Sequence, residues 1–402
     1  MLSLSVFALN LIIGLGLGLA VDYSLFLVWR LREHLARGVP VPEALRATMV
    51  TTGRTILFSS LTVAAAMASL TVFPQRFLVS MGIGGAVVAL VAAASALLVL
   101  PPLFILLGPR LGKAKPVADK QGGWYRLAQG VMRRPALVAI GTAVVLLFVA
   151  SPVPNVHWSG IDATILPTSQ SARVVSDRLA SEFPAHGGSS IVVVATAPAS
   201  AGPELATYAA RLATIPGVSL NGAPKVIAPN TWQIRLANAG DAISAAGQRG
   251  VIAVRATPAP VPVLVGGDAA DFADQKTAIS NSLPTALAIL IVVTVLVLWL
   301  MTGSVILPFK TLVMNALSAA AATGLLVFIF QDGRLTGPLS YKSQGGIEET
   351  DFLILAALAF ALATDYGVFL LARIKEARTA NHDEREAVAV GLQRTGRLVT
   401  QA

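Results

Sequence analysis

The chain contains no cysteine, so neither a disulfide framework nor a thiolate metal site can be built from it, and the redox character of its compartment stays open on that ground. Histidine is scarce at four residues, and no cluster of His, Asp or Glu has metal-ligand spacing. No Ser-His-Asp set can be argued either, so the chain is read as a non-enzyme with no metal and no cofactor. Charged residues make up only 13% of the 402, against 55% hydrophobic, which excludes an ordinary soluble enzyme and indicates a polytopic membrane protein. A small-residue cleavage pattern is missing as well: residues 4–29 run too long for a signal peptide and read as a true span.

What is present in quantity is apolar runs of about 20 residues, the length that crosses a bilayer. Seven spans follow, at approximately 4–29, 54–73, 77–107, 136–152, 283–301, 307–330 and 350–372. The third is overlong and is expected to bend or end near Pro101-Pro102. Alternating the spans puts three basic segments, 30–54, 109–134 and 373–397, on one side. That face collects 19 Lys and Arg against 7 acids, whereas the opposite face has 11 against 12. The formal charge of +9 would by itself suit a nucleic-acid partner, but this asymmetry is the positive-inside rule and needs none.

The domain reading is three membrane helices in 1–108, a basic cytoplasmic linker in 109–135 and a single span in 136–152. A folded extracytoplasmic domain in 153–282 comes next, then three more spans in 283–372 and a cytoplasmic segment, 373–402, leading towards a further span. Within 153–282, strands are expected at 191–195, 218–227, 231–238 and 261–265, with helices at 203–215 and 244–256. The order β-α-β-β-α-β is ferredoxin-like, and residues 268–282 lead helically into the membrane.

One segment occurs twice, 343 residues apart: Leu19-Ala20-Val21-Asp22-Tyr23-Ser24-Leu25-Phe26-Leu27 and Leu362-Ala363-Thr364-Asp365-Tyr366-Gly367-Val368-Phe369-Leu370. The match continues without a gap through Arg30 and Arg373, Glu33 and Glu376, Glu43-Ala44 and Glu386-Ala387, and Thr52-Gly53-Arg54 and Thr395-Gly396-Arg397. An ionisable residue in hydrocarbon costs roughly 2.5–3.5 kcal/mol on insertion scales. Two at repeat-equivalent positions therefore point to use, and repeated halves with a charged site between them are a transporter signature. Asp22 lies eight residues from Arg30, about 12 Å along a helix and close to mid-bilayer, and Asp365 repeats this geometry from Arg373. Neither helix has a basic residue at that depth. A carboxyl group that gains and loses its proton there can couple proton flow to a conformational change, and a tyrosine hydroxyl can donate to it or accept from it. The plainer alternative is a pair of structural hydrogen bonds between helices.

Other features read as structural. Gly14, Gly16 and Gly18 lack the strand-turn-helix setting of a dinucleotide site and are expected to allow close packing beside Asp22. Arg54 and Arg397 read as interface anchors. The amphipathic stretches 33–50 and 376–394 read as helices lying along the inner membrane surface. His157 and Trp158 mark the domain entrance as packing residues.

The chain resembles the MMPL family of the resistance-nodulation-division (RND) transporter superfamily. Three stretches carry the resemblance: the duplicated Asp-Tyr-x-x-Phe-Leu-x-x-Arg segment; Leu307-Pro308-Phe309-Lys310 through Asn315-Ala316-Leu317-Ser318 to Phe328-Ile329-Phe330-Gln331; and Val265-Gly266-Gly267-Asp268 with Asp274. The resemblance implies an α-helical polytopic bundle of two pseudo-repeats with an inserted α+β porter domain. It also implies a proton relay by cross-pairing of Asp22 with Tyr366 and of Asp365 with Tyr23. Function would be proton-driven export of lipids or other hydrophobic molecules across a bacterial inner membrane, with membrane lipids, apolar cargo, protons and a second copy of the chain as partners. The family pattern has twelve spans, and on it this chain covers spans 4–10, with roughly 208 residues expected ahead of Asp22. Three alternatives stay open: a non-transporting sensor or scaffold on the same core, an RND-like auxiliary to protein secretion, and an inactive truncated chain.

Overall fold

The structure, a computed structural model, describes residues 6–111, 122–160, 163, 166–182, 189–343, 345–380 and 383–400. Residues 4–5 of the first expected span, 112–121 of the basic linker and the Arg397 side chain lie outside the described residues.

Along the chain the helices are α1 (Val6–Ala36), α2 (Val41–Thr48), α3 (Arg54–Ala68), α4 (Arg76–Leu98), α5 (Leu100–Leu111), α6 (Gly123–Arg133) and α7 (Pro135–Ala150). Strand β1 (Trp158–Ser159) and α8 (Ser171–Glu182) come next, then β2 (Ser190–Thr196), α9 (Gly202–Leu212), β3 (Val218–Leu220), β4 (Lys225–Ala228), β5 (Thr231–Asn238), α10 (Ala245–Ala256) and β6 (Val263–Gly266). The chain continues through α11 (Asp268–Thr302), α12 (Ile306–Leu326), α13 (Thr336–Leu339), β7 (Ile347–Glu348), α14 (Glu349–Thr379) and α15 (Glu384–Val399). Seven helical stretches among the described residues are long and apolar enough to cross a membrane: Ala8–Ala36, Val41–Val72, Arg76–Leu107, Pro135–Asn155, Asp268–Thr302, Ile306–Gln331 and Glu349–Thr379. They turn apolar side chains outward. Leu9, Ile13, Leu17 and Val21 form an exposed stripe at four-residue spacing on α1, as a lipid-facing helix should.

Two compact units divide the chain. The first comprises Met1–Asn155, Ser282–Leu326 and Thr350–Ala402. In it α1 ends at a turn where Gly38 takes φ +80°, and Pro40 precedes α2. A π-helical turn (Met49–Gly53) then joins α2 to α3 without a break. The stretch 33–50 is therefore not one surface helix: its first residues complete α1 and its last begin the second span. The stretch 376–394 divides likewise between α14 and α15. The third span breaks at Val99, where Pro101 and Pro102 cannot donate to the preceding turn. Of the three glycines near Asp22, Gly16 alone is at a close contact. A Cβ there would lie 2.6 Å from Val88 of α4, while Gly14 and Gly18 face open space. Gly84 makes the reciprocal approach to Ile12, and Gly324 lets α12 press on the Val149 carbonyl of α7.

The second unit comprises Val156–Asn281 and Val327–Glu349. Its main sheet runs β3-β5-β2-β6, every neighbour antiparallel, with β4 also paired to β5. That is the ferredoxin-like order. Ile191, Val193, Ile234 and Leu236 alternate onto one face and are buried, with Tyr208, Leu212, Val251 and Val254 of α9 and α10 in the same core. The expected strand 218–227 is two strands, because Gly222 at φ +87° turns the chain between them. This unit also takes in 327–349, which a linear reading leaves among the spans. The reason is pairing: β1 aligns parallel to β7, Trp158 opposite Ile347, and the Gln331 side chain accepts from the His157 backbone N–H at 2.7 Å.

Candidate proton-relay site

The two Asp-Tyr segments meet in the interior of the first unit. Asp22 is 7% exposed on α1 and Asp365 fully buried on α14. Tyr366 Oη donates to Asp22 Oδ2 at 2.9 Å, a bond between residues 344 positions apart. One turn further along both helices, Phe26 and Phe369 stack with ring centroids 3.8 Å apart and planes 1° from parallel. Asn315 of α12 donates to Thr364 Oγ1 at 2.6 Å, and that hydroxyl donates to the Phe360 carbonyl at 2.7 Å, which fixes α14 beside Asp365.

The second cross-pair is not formed. Both Asp365 oxygens and Tyr23 Oη are buried without a hydrogen-bond partner among the described residues. Neighbouring residues point about 100° apart on a helix, so Asp365 does not face the Asp22 side chain that Tyr366 meets. The Tyr23 ring lies against Phe369, 6.4 Å between centroids, and its hydroxyl is near Ser59 of α3 but outside hydrogen-bonding geometry. A buried carboxyl without a partner costs several kcal/mol. Asp365 does not contribute a structural contact that would offset this.

Beyond the Phe stack lies an ionic cluster built from the same repeat. Arg30 Nη1 donates to Glu33 at 2.6 Å, and Arg30 also pairs with Glu376 of the other segment. Arg373 reaches Glu376 at 3.1 Å and Glu33 at 3.8 Å, while Arg37 and Arg394 add to Glu33 at 2.7 and 3.8 Å. Arg30 and Arg373 are buried, at 2% and 8% exposure. Sequence alignment of the repeats matches Arg with Arg and Glu with Glu. The signal for a network was the shared Arg-x-x-Glu spacing, which puts opposite charges on one face of each helix.

The other motif stretches hold the fold. Gly267 takes φ +100°, and a Cβ there would lie 2.4 Å from the Ser190 carbonyl. Ser190 Oγ donates to Asp268 at 3.1 Å, and Arg255 donates two bonds to Asp274 at 2.6 and 2.8 Å. Gly396 packs under Trp124 of α6, leaving no room for a side chain. Arg54 lies over the Phe58 ring at 5.5 Å. One buried acid was not singled out from sequence: Glu349, first residue of α14, has neither carboxyl oxygen hydrogen-bonded among the described residues. Its signal was the acidic run Glu348-Glu349-Asp351 before an apolar span. No group of three His, Cys, Asp or Glu among the described residues could hold a metal ion.

The bundle and its inserted ferredoxin-like unit define a multi-pass membrane protein of the RND type. Solved structures with this fold include SecDF, a translocon-associated membrane protein from Thermus thermophilus (TM-score 0.52, 14% identity, covering 96% of this chain and 47% of that one). The hedgehog release protein Disp from the water bear Hypsibius dujardini is similar over 98% of this chain and 58% of its own, with TM-score 0.60 and 14% identity.

Within that class the chain belongs to the MMPL family, whose model matches residues 1–138 and 229–402. It is 38% identical over 400 residues to a membrane protein of Streptomyces coelicolor, covering 99% of this chain and 56% of that one. It is 28% identical to the trehalose monomycolate exporter MmpL3 of Mycobacterium tuberculosis, over 98% of this chain and 47% of the relative. Identity to the heme uptake protein MmpL11 of the same species is 29%, over 100% and 43%. The chain thus spans about half the length of the curated relatives it matches.

Proposed function

We propose that this chain forms part of a transporter, rather than an enzyme, that moves lipids or other hydrophobic molecules across a bacterial inner membrane, driven by protons. Asp22, Tyr366 and Asp365 are the relay, with Tyr23 as the companion of Asp365 in a conformation where the helices have turned. Residues 153–282 lie outside the cytoplasm and guide cargo, and the basic segments 109–135 and 373–402 face the cytoplasm. The observation that carries the reading is the Tyr366–Asp22 hydrogen bond, made in the interior between the two copies of one motif. The relatives' names favour lipid-like or large apolar cargo, since one exports trehalose monomycolate and another takes up heme.

The test is proton flux into proteoliposomes carrying the protein, wild type against Asp365→Asn. Cargo-stimulated acidification that the substitution abolishes supports a proton-coupled transporter. Equal flux in both, with the variant folded, reduces the aspartates to structural contacts and favours a sensor or scaffold.

A further inference from the structure

The first unit contains a cavity of about 280 Å³ whose lining changes character from one end to the other. Its lining sets apolar Phe26, Phe58, Met301 and Phe369 beside charged Arg54, Arg373, Lys375 and Glu376, of which Arg54 and Lys375 are exposed and mark the mouth. Three of those four charges are already engaged. Arg373 and Glu376 pair with each other, and Glu376 pairs with Arg30 as well. Lys375 Nζ donates to the carbonyls of Met301 and Thr302 at 3.0 and 3.3 Å, where α11 ends. Arg54 makes no ion pair among the described residues; its guanidinium rests on Phe58 and is exposed at the mouth. Among the described residues the cavity therefore has two cations without an ion pair, Lys375 tied to backbone carbonyls and Arg54 lying over an aromatic ring.

What leads away from the mouth is apolar and exposed among the described residues. Val50, Leu57 and Leu61 share the face of α2–α3 that carries Arg54, and are 66%, 47% and 39% exposed. Leu296 and Leu300 on α11 are about half exposed beside Met301. A soluble anion would have no use for such a stripe, whereas an acyl chain would, and a charged head with an apolar tail fits both halves.

We infer that this cavity is a binding site for an anionic phospholipid, its phosphate held by Arg54 at the mouth and its acyl chain laid along the exposed face of α3 toward Leu61. The site is separate from the Asp22–Tyr366 pair and does not depend on proton coupling. Arg54 is then a ligand contact and not merely an interface anchor.

Native mass spectrometry of the purified protein with added phosphatidylglycerol, phosphatidylcholine or inorganic phosphate tests this. Wild type is expected to retain one phosphatidylglycerol in preference to phosphatidylcholine by about fivefold or more, the worth of one basic side chain against an anionic lipid. Arg54→Gln should remove that preference. Val50→Glu, at a side chain two-thirds exposed, should weaken retention through like charge at the mouth without disturbing packing, and it decides the matter if Arg54→Gln fails to fold. Equal retention of phosphatidylglycerol by wild type and both variants overturns the proposal, as does equal retention of the two lipids by wild type. Displacement of the lipid by inorganic phosphate would make this a free-anion site and overturn the lipid assignment.

Discussion

Phe26 of α1 and Phe369 of α14 stack face to face at 3.8 Å, and the two sit at the same place in their respective copies of the repeated segment. The pair lies between the Asp22–Tyr366 bond and the Arg30–Glu376 cluster along both helices, so it separates two polar layers with an apolar one. Phe26→Ala or Phe369→Ala should destabilise the protein by about 3–5 kcal/mol through lost packing and a residual cavity. Water entering that cavity would join the layers. The expected result in proteoliposomes is a proton leak that no longer requires cargo; a tight, cargo-dependent flux in Phe369→Ala would show that the stack is packing only.

The two tyrosines should behave differently on loss of the hydroxyl. Tyr366→Phe leaves buried Asp22 without its donor and should cost about 1–3 kcal/mol. Tyr23→Phe removes a hydroxyl that has no hydrogen-bond partner among the described residues and should be neutral or slightly stabilising. Thermal unfolding of the two variants in the same detergent measures this, and equal losses would show that Tyr23 finds a partner in solution.

Adjacent glycines at the end of β6 should also separate. Gly267→Ala puts a side chain at φ +100° and into the Ser190 carbonyl, so it should cost more than about 1 kcal/mol. Gly266→Ala meets nothing within 4 Å and should lie within about 0.5 kcal/mol of wild type. Unfolding temperatures of the pair decide it.

Tyr125 donates to the Glu386 carboxylate at 2.6 Å, joining α6 to α15, and that bond pushes the phenol above its ordinary value near 10. Since the folded-state value is raised, the contribution is fully present below the unfolded value and is lost as pH rises through the folded one. Alkaline titration of tyrosine absorbance should show phenols ionising late, and Tyr125→Phe should remove one of those components. A Tyr125→Phe protein with an unchanged titration would count against the bond.

Much of this architecture was readable beforehand, for identifiable reasons. Apolar runs have one solution in a bilayer, so the spans came from length alone, and the break at Val99 came from two prolines. Alternation in 191–195 and 231–238 marked the central strands of the sheet. The Asp22–Tyr366 pair followed from repetition and family resemblance. What stayed hidden was set by tertiary contact. Nothing in Trp158-Ser159 or Ile347-Glu348 announces that two-residue strands so far apart will pair. Symmetry of sequence also promised a second Asp-Tyr bond, and symmetry of packing did not follow: Asp365 and Tyr23 are buried without a hydrogen-bond partner among the described residues.

The Asn315–Thr364 bond has a mechanical consequence. Thr364 precedes Asp365 directly, so this contact helps to set the azimuth of α14, together with the Tyr366–Asp22 bond and the Phe26–Phe369 stack, like one index pin among several in a dial. Any swivel large enough to bring Asp365 round to a new partner must first withdraw the pin, and a neutral bond of this kind has a net worth of only about 1 kcal/mol. Asn315, which hydrogen-bonds to no carboxyl group among the described residues, would then help to set how often the dial can turn.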